Sequence, residues 1–236
     1  MSTSPTAPPA SPARAGASPA TAAWIKLQEG NRRWMTGRAQ AQSQPVDRRT
    51  ALLHEQHPFA AVLACADSRV PPEMVFDQGL GELFVVRTAG HVVDDAVLGS
   101  LDYAINGLGV DLLLVLGHEG CGAIAATQAA LAGGPPPPGH VRGIVDRLAQ
   151  DVALAGDHGA ATSSEFAQWR AAATVEDLLR RSHVLREATF AATAGIVAAT
   201  YTMDSGRVEA VGVLRPAAGT RCGFDVQQLA TASLLS

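Results

Sequence analysis

Three short stretches are apolar without interruption: Phe59 to Ala64, Leu83 to Val86 and Leu112 to Leu116. A strand with one wet face alternates apolar and polar residues. Runs that do not alternate predict strands covered on both faces, the habit of parallel sheets. Parallel neighbours need crossover connections, and helical spacing follows the second and third runs. Val97, Leu98, Leu101, Ala104 and Ile105 make one stripe of a helix predicted over Val93 to Ile105, ended by Gly107 and Gly109. Further helices are predicted over Ala123 to Leu131, over Val141 to Leu154, and from Thr174 to Ala194, where Thr174 and Asp177 resemble a capping box. Gly133-Gly134 and Pro135 to Pro138 interrupt the first two of these as a stiff connector. Val197 to Met203 and Val208 to Leu214 flank Asp204-Ser205-Gly206-Arg207, a hairpin pattern. The fold class is α/β: a mostly parallel sheet with flanking helices and an antiparallel edge strand.

The ends of the chain read differently. Residues 1–21 hold five of the fourteen prolines, one charge (Arg14) and no aromatic, so they are predicted to be a disordered tail. They lack the basic and apolar regions of a secretory signal. One domain is predicted over 22–215, and 216–236 are a C-terminal extension. Thr21 is the expected N-cap of a first helix with Trp24, Leu27, Trp34 and Met35 near one face. Gly30 lies inside it and costs helix stability, so this helix is expected to lean on a partner surface.

Apolar residues make up 47% of the 236, enough for a sizeable core, and the net charge is −4. Mild acidity and 5% aromatics disfavour nucleic acid or an anionic membrane as partner. No apolar run approaches the roughly 20 residues of a membrane span. Three scattered cysteines, Cys65, Cys121 and Cys222, are too few for a disulfide framework. Reduced thiols and a cytoplasmic location are expected.

Cys65-Ala66-Asp67-Ser68-Arg69 follows the first strand directly, and His118-Glu119-Gly120-Cys121-Gly122 follows the third. In open α/β sheets the functional crevice lies beyond the carboxyl ends of strands, so Cys65, His118 and Cys121 are expected to converge. Two thiolates and an imidazole suit zinc, and three protein ligands leave one position open for chemistry. Alone, a cysteine is more often a small buried hydrophobe and a histidine a solvated or satisfied group. Gly117, Gly120 and Gly122 do not make a dinucleotide-binding glycine pattern. Cys222 has no histidine nearby and is given no role.

With these motifs the chain resembles the β-class carbonic anhydrases. Glu29 to Arg33, Cys65 to Val70, Gly81 to Gly90, Leu98 to Ala104 and His118 to Gly122 carry the resemblance, in that order along the chain. It implies Zn²⁺ held by Cys65, His118 and Cys121, and reversible hydration of CO₂ to bicarbonate and a proton by attack of zinc-bound hydroxide. Asp67 and Arg69 match a catalytic dyad in which the carboxylate pairs with arginine or closes the site as fourth ligand. Gln56, Phe84 and Tyr103 match substrate-pocket positions, and the Gly122 N–H matches a substrate donor. Val62 stands where some members have a tryptophan of a non-catalytic bicarbonate site. A homodimer or homotetramer is implied, with the first helix wrapping a neighbouring subunit. His91 is a proton-shuttle candidate by residue type alone; a surface histidine is the plainer reading. The same ligands would serve a hydrolase of carbonyl sulfide or carbon disulfide, or a non-catalytic zinc or bicarbonate-binding module.

Overall fold

A computed structural model describes residues 18–41 and 46–214. Residues 1–17 of the expected tail, the expected extension 216–236 and Cys222 lie outside the described residues, and Pro19 to Thr21, expected in the tail, are helical. Five strands form one sheet: β1 (Ala60–Cys65), β2 (Leu83–Thr88), β3 (Leu112–His118), β4 (Gly195–Tyr201) and β5 (Val208–Leu214). Their spatial order is β2-β1-β3-β4-β5, parallel except for the antiparallel β4–β5 hairpin. The three uninterrupted runs are thus the three parallel strands at one side. β1 and β3 are buried at every position, whereas β2 is half-exposed along its length because it is an edge.

Each face has its own apolar layer. Ala61, Leu63, Leu113, Val115, Ile196 and Ala198 face α4 (Asp95–Asp102), α7 (Ser163–Arg181) and α8 (His183–Phe190). Ala60, Val62, Ala64, Leu114, Leu116 and Val197 face α1 (Pro19–Met35) and the residues Val75 and Phe76. The remaining helices are α2 (Val46–Ala51), α3 (Pro72–Val75), α5 (Gly122–Leu131) and α6 (Val141–Asp157).

Several boundaries differ from expectation, each for a local reason. α1 starts before Thr21, because Ser18 accepts from the Thr21 N–H and Pro19 presets the first turn. The expected helix from Val93 begins at Asp95, since Asp94 accepts from the Val97 N–H, and it ends in a π-turn over Tyr103–Gly107. The capping box is not at Thr174 but at Thr162 and Glu165, which exchange side-chain and backbone hydrogen bonds to open α7. Thr174 is buried in mid-helix, its hydroxyl donating to the Arg170 carbonyl. Ser182 then breaks the expected single helix by capping α8.

Trp24 and Leu27 find their surface within the chain. Both are buried against the sheet, and Trp34 Nε1 donates to the Tyr201 hydroxyl. Gly30 is there for close approach: a Cβ on it would stand 1.7 Å from the Phe76 carbonyl oxygen. Below α1, Asp77 accepts from the Gln40 and Ala41 N–H groups at 2.7 Å each and from the Arg33 guanidinium. Burial would push the Asp77 carboxyl up, but those donors outweigh it and hold it below the ordinary carboxylate range.

Two outcomes follow from this layer. Gly30→Ala should destabilise by about 3 kcal/mol in urea unfolding, because backbone must move to admit the methyl. The Asp77 carboxyl takes its proton more readily in the unfolded chain than in the folded one. Its stabilisation is therefore present at neutral pH and lost as pH falls below about 4. Urea midpoints measured across pH should show that acid loss shrinking in Asp77→Asn, which should already be less stable at pH 7.

Candidate active site

The sheet order places the chain's reversal between β1 and β3, where one connection runs to β2 and the next crosses back to β3. Crevices of α/β sheets form at such switch points. Ala64 pairs with Leu116, so Cys65 ends β1 beside the end of β3, where His118 sits. Gly120, at φ +65, turns the chain so that Cys121 caps α5 and faces back.

The donor atoms of Cys65, His118 and Cys121 lie within 4.8 Å of one another, and all three residues are buried. His118 Nδ1 stands 2.9 Å from the Glu119 carbonyl oxygen, which can only accept, so Nδ1 carries the proton. Nε2 is buried and without a hydrogen-bond partner among the described residues. Such an atom costs stability unless something binds it. The two sulfurs are 4.0 Å apart, close enough to share one proton, which pushes Cys121 up and Cys65 down. The Gly90 N–H also donates to the Cys65 sulfur, at 3.3 Å. Two sulfurs and one oriented imidazole nitrogen form a donor set that fits zinc with a fourth position free.

At the rim, Asp67 is held by Arg69 at two points, Nε to Oδ1 at 2.9 Å and Nη2 to Oδ2 at 2.7 Å. The Arg69 guanidinium holds the Asp67 carboxyl well below the usual carboxylate range. Asp67 Oδ2 is also 4.0 Å from His118 Nε2, so it stands at the edge of the sulfur–nitrogen cluster. Gly122 begins α5, which puts its N–H among the first-turn donors beside Cys121.

The other expected residues lie elsewhere in the chain. Gln56 is exposed and precedes the amino end of β1, opposite the Cys65 end. Phe84 pairs with Ala61 while Thr88 pairs with Cys65, placing Phe84 about 13 Å back along the edge strand. Its ring packs 6.2 Å from that of Tyr103, which is 53% exposed. Val62 is buried on the α1 face of β1. His91 is no surface residue: it is 2% exposed, and burial holds its pKa well below the ordinary histidine value.

Sequence reasoning missed four contributors. Arg87 donates to the Cys65 and Asp67 carbonyls at 2.9 and 2.6 Å, fixing the backbone between the cysteine and the carboxylate. Gly90 lies with Arg87 inside a motif that the resemblance quoted without assigning either a part. The Ser163 hydroxyl accepts from the Gly120 N–H at 2.5 Å, and Arg69 Nη2 donates to the Gly120 carbonyl at 3.3 Å. Arg170 lies behind the cluster. No spacing in the sequence points to Ser163 or Arg170, since both act on backbone distant in the chain.

Two thiols and an imidazole at a switch point, beside a carboxylate–guanidinium pair, have the make-up of an α/β metalloenzyme. Residues 60–208 match the family model described as Carbonic anhydrase, and the chain belongs to that family, in its β class. It is 48% identical over 186 residues to Carbonic anhydrase 2 of Mycobacterium tuberculosis, covering 79% of this chain and 90% of that protein. Carbonic anhydrase of Mycolicibacterium smegmatis is 46% identical over 188 residues, 80% and 91% of the two chains. Among solved structures, a Coccomyxa β-carbonic anhydrase superposes with a TM-score of 0.61 at 25% identity, over 79% of this chain and 85% of that one. No described helix is long and apolar enough to cross a membrane.

Proposed function

We propose that the protein catalyses zinc-dependent, reversible hydration of carbon dioxide to bicarbonate and a proton, with Cys65, His118 and Cys121 as metal ligands. The observation that carries this is the buried His118 Nε2, unpartnered among the described residues and clustered with two thiols. Zinc, when bound, supplies a Lewis acid that lets water ionise near neutrality, as it does in the three-histidine carbonic anhydrases. Asp67 has the task of accepting the O–H of the reacting water and aiming its lone pair at the carbon of CO₂. Arg69 keeps that carboxylate from closing onto the cluster 4.0 Å away. The Gly122 N–H, at the positive end of α5, offers a donor to developing bicarbonate oxygens.

Gln56, Phe84 and Tyr103 are assigned to the substrate pocket of an assembled homodimer or homotetramer. The exposure of Gln56 and Tyr103 on the amino-end side of one chain, with Phe84 half-buried beside Tyr103, supports a second chain bringing its own copies to the crevice. The reading places the protein in the cytoplasm, where Cys65 and Cys121 stay reduced.

Stopped-flow CO₂ hydration with and without a chelator is the direct test. Activity should vanish on zinc removal and return with zinc. Cys121→Ser should lose most of both metal and turnover, and full zinc occupancy in it would refute the ligand set. Arg69→Ala should keep zinc yet lose about 100-fold or more in kcat, since Asp67 is then free to swing inward. Wild-type turnover in that variant would make the dyad a bystander.

A further inference from the structure

The buried face of α7 carries Phe166, Arg170 and Thr174, spaced four apart on one stripe. Phe166 belongs to an apolar shell with Leu148 and Val152 of α6 that packs on Cys65 and Cys121. Arg170 is 6% exposed within the same region, an unusual place for a guanidinium. Its Nη1 donates to Asp151 Oδ2 at 2.6 Å and its Nη2 to the His91 carbonyl at 3.3 Å. Its Nε is buried with no partner among the described residues. A buried cation so incompletely matched is poor for stability, and an apolar side chain of like volume would serve the core better.

The segment it holds is equally unusual. Gly90 and His91 are consecutive residues at positive φ, +62° and +40°. Glycine adopts this region freely; histidine does so only when surroundings hold it. His91 is pinned twice, by Arg170 at its carbonyl and by Thr174, whose Oγ1 lies 3.1 Å from Nδ1. Thr174 gives its own proton to the Arg170 carbonyl, so the imidazole Nδ1–H is the donor to it. What this left-handed turn delivers is the Gly90 N–H, aimed at the Cys65 sulfur.

We propose that Arg170 is a positioning residue of the metal centre, holding the Gly90–His91 turn so that the Gly90 N–H points at Cys65 Sγ. The proposal rests on the zinc reading above. Hydrogen bonds to a ligating sulfur stabilise its thiolate and fix its direction, and losing such outer contacts weakens metal binding. Burial pulls the Arg170 pKa down while Asp151 and, more weakly, Cys121 oppose this, and arginine stays charged throughout. Its charge therefore also lies behind the sulfurs.

The test compares wild type, Arg170→Met, Arg170→Lys and His91→Asn as purified full chains. Zinc affinity is read by chelator competition, and the thiolate-to-metal charge-transfer band is read after cobalt substitution. Arg170→Met should fold, by circular dichroism and thermal unfolding of the metal-free protein, yet bind zinc about 10–100-fold more weakly with a shifted band. Arg170→Lys should recover part of the loss. His91→Asn keeps the carbonyl in a residue that tolerates positive φ, and should bind nearly as wild type. Wild-type affinity and an unshifted band in folded Arg170→Met would overturn the proposal. So would a loss in His91→Asn as large as in Arg170→Met. If Arg170→Met fails to fold, Asp151→Asn, whose side chain is 27% exposed, takes its place. It should weaken zinc several-fold, and no change overturns the proposal. A wild type that binds no zinc refutes the metal-centre reading itself, an outcome separate from loaded wild type with indifferent variants.

Discussion

Covering a sheet on both faces leaves only the ends of its strands open to chemistry. Here that constraint governs everything else. β1 and β3 are buried along their whole lengths, so no side chain on them can reach solvent except at the carboxyl ends. Crossovers leave in opposite directions at that point, which keeps the crevice from being filled by a connecting helix. The cluster is the result: one cysteine ends β1, the histidine ends β3, and the second cysteine arrives on the turn into α5.

The same geometry explains what could be read from the sequence. β1, β2 and β3 announced themselves as uninterrupted apolar runs, while parallel β4 was read only as one arm of the hairpin, and the cysteines, the histidine and the Asp67–Arg69 pair sit in the residues just past two of those runs. They are legible because the main chain itself carries them to the crevice. α7 was half missed because the pattern of a Thr followed three residues later by an acid occurs twice. Only at Thr162 do the side chains turn back to the backbone; at Thr174 the core claims the hydroxyl. Gly30 looked like a weak point to be shored up by a partner, when it is the contact that lets α1 lie on the Phe76 carbonyl. Ser163 and Arg170 left no trace in any local pattern, and Arg87 stood in a motif without a part assigned to it, since each grips a peptide group remote in the sequence.

Those three grips share a logic. Arg87 fixes the carbonyls of Cys65 and Asp67, and Ser163 fixes the Gly120 peptide whose carbonyl receives Arg69. Arg170 fixes the turn that gives Cys65 its N–H. The functional side chains are few and sit on short turns, and turns are soft. Rigid helices and the edge strand hold them through their backbone, so the spacing of sulfur, nitrogen and carboxylate does not depend on the side chains alone.

The pairing of β1 with β3 also sets when the site comes into being during folding. Cys65 and His118 meet only if Ala64 lies opposite Leu116. A slip by one residue would turn Cys65 to the α1 face, away from the shell it shares with Cys121. β1 must also be gripped along both edges, by β2 and by β3, and these are non-local pairings that form slowly. The cluster therefore exists only where both of those pairings have formed. A chain with its strands out of register has thiols but no place where they converge.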